Sequence, residues 1–176
     1  GIAVMEVTLE KPNDKWKYSY LSLVEEFKFY NEDLIPWVIG LPFDDFSDHI
    51  EQLDHASKGI GLKNWQVPHA TFWLVVNDEV VGVSNLRLKL NEKLRHDGGN
   101  IGYGIRPSLR RKGFATILLK KTLKKAKDHG IEKCLVMCDK DNIASAKTIL
   151  NNGGVFDSDY VCKESGKVVN RYLVSC

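Results

Sequence analysis

The segment from Ile101 to Gly130 constrains the chain more than any other. It opens with a short apolar run, Ile101 to Ile105, interrupted by Gly102 and Gly104. Glycine inside a strand marks a bulge or the close approach of another group. Pro107 stops the run, because proline has no N–H for a ladder. A basic turn follows, Arg110-Arg111-Lys112-Gly113. A helical pattern then runs from about Arg111 to His129. Ala115, Leu118, Leu119, Thr122, Leu123 and Ala126 fall on one stripe, the lysines on the other. Gly130 ends it as a C-cap glycine. The first N–H groups of such a helix lack internal partners, and the dipole is positive there. Gly113 lets a ligand approach the backbone and the small Ala115 keeps the next turn open. The turn therefore suits a phosphate. It is no GxxxxGK[ST] loop, and Pro107 stands where a dinucleotide fingerprint needs its third glycine.

The rest of the chain supplies a sheet for this helix to cover. Met5 to Leu9 reads as a strand, and Lys15 to Tyr30 and Asp44 to Ala56 as helices. Ala70 to Val76 and Val80 to Leu90 are strands joined by the hairpin turn Asn77-Asp78. Asn91 to Gly99 reads as a polar loop. Lys133 to Cys138 is a strand, Asn142 to Asn152 a helix closed by Gly153-Gly154. Val155 to Cys162 and Val168 to Val174 form a last hairpin. The expected fold is α/β of the α+β kind: a mixed, largely antiparallel central sheet flanked by helices. A length of 176 residues predicts a single domain over 1–176.

Composition excludes several classes. With 43% hydrophobic and 27% charged residues, wholesale disorder is ruled out. No apolar run approaches the roughly 20 residues of a membrane helix. Gly1 to Glu10 lacks the pattern of a secretory signal. Met5 is a candidate native start, in which case Gly1 to Val4 are an addition; the alternative is that Gly1 to Val4 are native. Cys134, Cys138, Cys162 and Cys176 fit no zinc spacing. Cys134 and Cys138 lie about 13 Å apart on one strand, too far for a disulfide. Free thiols and a cytoplasmic location are expected.

Charge is divided along the chain. Residues 1–60 hold 5 Lys+Arg against 12 Asp+Glu, and residues 61–176 hold 20 against 11. The stretch 101–130 has 9 basic residues and one acid, Asp128. The second half is expected to bind a polyanion, and the acidic half to face a cationic partner. A nucleic acid fits poorly, since the basic face has no interleaved aromatics and no recognised motif.

Arg110, Gly113 and Ala115 resemble the acyl-CoA motif of the GNAT superfamily of N-acetyltransferases, which has Gln or Arg, two residues, Gly, one residue, then Gly or Ala. Ile105-Arg106-Pro107 is similar to that family's strand-ending Val-x-Pro. Asp141-Asn142-Ile143-Ala144-Ser145 resembles its second cofactor element, with Gly153-Gly154 where that helix ends. The resemblance covers roughly residues 70–175, the expected acyl-CoA core; residues 1–65 form an acceptor-side portion. It implies acetyl-CoA as co-substrate and a small-molecule or peptide amine as acceptor. It places the pyrophosphate on the backbone of Arg111, Lys112, Gly113, Phe114 and Ala115, beside Arg110. It places the pantetheine arm along Tyr103, Gly104 and Ile105, and gives Asn142 a cofactor role. The acetyl group is expected where the Ile101–Ile105 strand splays from the Lys133–Cys138 strand.

The family often carries a tyrosine that protonates the leaving thiolate; here Ile149 stands in its place. Ser145, one turn earlier on the same face, is the remaining candidate acid. His69, His96 and Asp97 are candidate bases, and Trp37, Phe43, Phe46 and Trp65 candidate walls of an acceptor pocket. A protein of this fold that senses acyl-CoA without turnover is the alternative reading.

Overall fold

A computed structural model describes residues 5–176; the expectation about Gly1 to Val4 lies outside the described residues. The strands are β1 (Val7–Glu10), β2 (His69–Val76), β3 (Glu79–Arg87), β4 (Ile101–Ile105), β5 (Lys133–Asp139), β6 (Val155–Val161) and β7 (Val168–Ser175). The helices are α1 (Lys17–Phe29), α2 (Phe46–Ser57), α3 (Glu92–His96), α4 (Phe114–Asp128) and α5 (Ile143–Asn151). The strands form two antiparallel sheets, β1-β2-β3-β4 and β5-β7-β6, in place of the single sheet expected from sequence. The mixed α+β architecture with flanking helices is as expected.

Alternation along β2 sorts the core into layers. Trp73 and Val75 join Tyr20, Leu23 and Phe27 under α1 and α2. Phe72 and Leu74 face the other way, Phe72 towards Leu119 and Leu123, Leu74 towards Leu118, all on α4. Every residue of β2 is buried because helices cover both faces. The β2–β3 hairpin turns through Asn77 and Asp78, whose φ angles of +47° and +65° match the twist of the strands.

Three boundaries differ from the sequence reading. The stretch 91–99 contains α3, whose Asn91 side chain accepts the Leu94 N–H at 2.8 Å. Five residues show too little periodicity to reveal a helix. β3 ends at Arg87, so the Leu86-Leu88-Leu90 alternation outlasts the ladder. α4 begins at Phe114, because Arg111 and Gly113 adopt φ of +64° and +82°, which no right-handed helix contains. All four cysteines are free.

Candidate active site

Among the described residues, the hydrogen bonds between the β4 chain and β5 are made by Asn100, just ahead of β4. Asn100 donates its N–H to the Leu135 carbonyl at 2.7 Å and accepts the Leu135 N–H on Oδ1 at 2.8 Å. Beyond that pair the two strands belong to separate sheets. The antiparallel alternation fixes which backbone groups face the gap. Asn100 and Arg106 bond to Arg87 and Val81 of the β3 chain, so the even residues of β4 point to β3. The main-chain groups of Ile101, Tyr103 and Ile105 face the gap. By the same rule Leu135, Met137 and Asp139 of β5 face it from the other side. Gly104 commits its own backbone to β3. Its role is steric, since a Cβ there would collide with the Ile35 carbonyl.

At the far end of β4 the chain forms an anion nest. Among the described residues, no intramolecular acceptor faces the N–H groups of Arg111, Lys112, Gly113, Phe114, Ala115 or Thr116. Arg111 and Gly113 both take left-handed φ values, and such residues in a turn bring neighbouring N–H groups to one side. A Cβ at Gly113 would meet nothing within 4 Å, so the space above the turn is open. Arg111 and Lys112 are exposed and, among the described residues, carry no ion pair. Phe114 is buried and anchors the helix start in the core, beside half-buried Ala115.

The other two arginines of the basic stretch are already engaged. Arg106 is buried and donates to the Val80 carbonyl, the Ser19 carbonyl, Ser22 Oγ and Glu26 Oε2 at 2.7–3.1 Å. Burial opposes ionisation of Glu26, but the bonds from Arg106 and the Ser108 N–H outweigh it and lower its pKa. Arg110 binds Glu32 Oε1 at 2.8 Å and lies over the Phe27 ring. Part of the charge division seen in the sequence is thus cancelled inside the fold. No acidic residue from the first sixty lines either cavity described below.

Two cavities of about 300 and about 230 Å³ share Trp37, Arg87, Asp97 and Gly98. The first reaches Gly102 of β4 and Met137 of β5; the second extends past Trp65 and His69. β4 runs from this cleft to the nest. Trp37 and Trp65 are cavity walls, whereas Phe46 is core and Phe43 packs on it. Of the three candidate bases, Asp97 lines both cavities and His69 one. His96 packs instead against Tyr160 and Arg171. Asp97 also accepts the Tyr160 hydroxyl.

Tyr103 and Ser145 form a hydroxyl pair at 2.7 Å between β4 and α5. Burial pushes the Tyr103 phenol up to about 12. Sequence reasoning assigned Tyr103 for its backbone and missed this contact, because nothing local announces that β4 and α5 face each other. Asn142 caps α5, accepting the Ser145 N–H at 3.1 Å. Ile149 is fully buried in the core.

The sequence model of the Acetyltransferase (GNAT) family matches residues 27–150, and the chain belongs to that family. Its fold is shared with RimL, a ribosomal L7/L12 alpha-N-protein acetyltransferase solved with coenzyme A. Identity is 16%, the alignment covers 96% of this chain and 93% of that one, and the TM-score is 0.70. Microcin C7 self-immunity acetyltransferase MccE, solved with acetyl-CoA and AMP, is similar at 21% identity, 97% and 93% coverage and a TM-score of 0.65. Spermidine N-acetyltransferase from Vibrio cholerae gives 14%, 96%, 93% and 0.63. A comparison with curated proteins gave no match. Among the described residues, no helix is long and apolar enough to cross a membrane.

Proposed function

We propose that the chain acts as one N-acetyltransferase domain that moves an acetyl group from acetyl-CoA to a primary amine. The observation that carries this reading is continuity: a nest of six unpartnered N–H groups leads along the edge of β4 that no strand pairs to a cleft lined by Trp37, Arg87, Asp97 and Met137. The residues fit the co-substrate. Arg111 to Ala115 hold its pyrophosphate, with Arg111 and Lys112 adding charge. Tyr103 and Ile105 pair with the amide-bearing pantetheine arm. Asn142 holds the start of α5 against it, and Arg110, fixed by Glu32, shapes the turn. Acetyl-CoA supplies an activated acyl carbon.

The acceptor amine attacks that carbon directly; a C–N bond forms and the C–S bond breaks. An alkylammonium has a pKa near 10.4, so it must first lose a proton. Asp97, open to both cavities, takes it, through water where needed. The Met137 N–H faces the gap and donates to the developing oxyanion. Coenzyme A thiolate leaves readily without a dedicated acid, although the Ser145 hydroxyl, bonded to Tyr103, lies beside β4. The same chain is expected to work in the cytoplasm.

The test is release of free coenzyme A thiol from acetyl-CoA in the presence of a panel of primary amines, with the products weighed by mass spectrometry. Amine-dependent release and a mass gain of one acetyl group support the reading. The core position of Ile149 favours the sensor as second reading. Tight acetyl-CoA binding with no turnover on any amine would select it.

A further inference from the structure

The larger question is what the amine carries besides its nitrogen, and the cleft wall answers it through a chain of hydrogen bonds. Trp37 Nε1–H, which can only donate, lies 3.4 Å from Asn85 Oδ1. That fixes the Asn85 amide, so Nδ2 donates to Thr71 Oγ1 at 3.2 Å and to His69 Nδ1 at 2.9 Å. His69 Nδ1 is thereby an acceptor, and the ring proton of the neutral imidazole sits on Nε2. Burial, with Arg87 nearby, holds the His69 pKa at about 4, so the ring is neutral at pH 7. His69 is only 5% exposed, and its Nε2–H finds no partner among the described residues. That atom is not sealed in the core, and the residue lines the cavity beside Trp65.

Arg87 lies directly opposite His69 in the β2–β3 register, so the two side chains share one face of the sheet. Its Nη1 is held by the Gly98 and Gly99 carbonyls at 3.1 and 3.4 Å. Among the described residues its Nε and Nη2 edge makes no hydrogen bond and no carboxylate lies within 4 Å of it; the charge of Asp97 acts on it only through space. Mostly buried guanidinium groups are ordinarily paired with an anion. An Arg fork with two parallel N–H groups matches a carboxylate. Lys93, seated over Trp65 at 5.2 Å, adds a second cation to the same wall. Trp37, Trp65, Val67 and Leu94 give the cavity its apolar surface, while Gln66 and Asp97 also line it, Asp97 on the side where the amine is to be deprotonated.

We propose that this cavity recognises a carboxylate. The acceptor is an amino-acid-like zwitterion, with its carboxylate against Arg87 and the His69 Nε2–H and its apolar side group beside Trp37 and Trp65. This rests on the acetyltransfer reading above and names the substrate class for it. A volume of about 230 Å³ admits a side chain and a carboxylate but no folded partner.

The experiment compares matched amines on the wild-type protein with acetyl-CoA. L-leucine, L-methionine and L-phenylalanine are each set against their amides and their decarboxylated amines. A kcat/KM at least tenfold higher for the amino acids is expected, because unmatched buried donors penalise an analogue that lacks the oxygen. In Arg87→Met the ratio between L-phenylalanine and phenethylamine should fall tenfold or more, and in His69→Phe it should fall as well. Turnover that is equal with and without the carboxylate overturns the inference and leaves the acetyltransferase reading standing. If no amine turns over, the acetyltransferase reading fails, and calorimetry of L-phenylalanine and phenethylamine with coenzyme A present decides. Binding of the amino acid alone supports the carboxylate site; equal binding, or none, overturns it.

Discussion

Gly113 is the residue on which the anion nest depends. Its φ of +82° is one that most side chains reach only with strain, and the space above it is open. Gly113→Glu places a carboxylate where the pyrophosphate belongs. Acetyl-CoA should raise the melting temperature of the native protein, and the raise should vanish in Gly113→Glu. Gly113→Asn tolerates the left-handed conformation and controls for strain; it should keep most of the shift. An unchanged shift in a folded Gly113→Glu protein would remove the nest from the account. Ser145 stands differently. Its hydroxyl is hydrogen-bonded to the Tyr103 phenol, whose pKa burial raises to about 12. Serine is a poor acid and coenzyme A thiolate leaves readily. Ser145→Ala should therefore lower kcat less than about tenfold, below the hundredfold typical of a positioned acid. A much larger fall with acetyl-CoA affinity retained would make Ser145 the acid.

At the scale of elements, β4 is held in place from both ends. Arg106 ties its end to α1 and β3 through side-chain and main-chain acceptors. Removing a buried charge's partner typically costs about 3–5 kcal/mol. Arg106→Ala takes the guanidinium donors from the Val80 and Ser19 carbonyls and leaves Glu26 only the Ser108 N–H, and urea titration should show a loss towards the lower end of that range. Gly104→Ala drives a Cβ onto the Ile35 carbonyl. Overpacking of this kind costs about 1–3 kcal/mol. It should also raise KM for the acceptor, since Ile35 to Trp37 wall the cleft. Much of this was legible in the sequence. Periodicity gave the helices, Asn77-Asp78 gave the hairpin, and Arg110, Gly113 and Ala115 marked the turn. The division into two sheets was not legible, because it depends on where the pairing stops: Asn100 bonds Leu135 through both its main chain and its side chain, and among the described residues no hydrogen bond joins β4 to β5 beyond it. The Arg87–His69 wall was equally hidden. Its residues lie on separate strands, and only the register brings them side by side.

Across the whole molecule, buried neutral histidines set the acid limit of stability. His49 is 1% exposed, with both ring nitrogens unpartnered, and burial lowers its pKa. His69 behaves alike, at about 4. The unfolded chain binds these protons near pH 6.5, whereas the native state does not until lower pH. Below pH 6.5 the unfolded state holds more protons, so stability present above that pH is lost as pH falls. Each histidine can contribute at most about 1.4 kcal/mol per pH unit. Denaturant titrations at pH 7 and pH 5 should show this loss, and His49→Phe should show less of it. Equal losses in the two proteins would contradict the assignment.

The claim at the centre is that the co-substrate lies along β4 with its pyrophosphate on the turn before α4. A crystal structure with acetyl-CoA tests it most directly. Pyrophosphate oxygens are expected at hydrogen-bond distance, about 2.7–3.2 Å, from N–H groups between Arg111 and Thr116. The pantetheine amides are expected to pair with Tyr103 and Ile105, with the thioester between Gly102 and Met137. A pyrophosphate bound elsewhere on the molecule, or none bound at saturating acetyl-CoA, would contradict it.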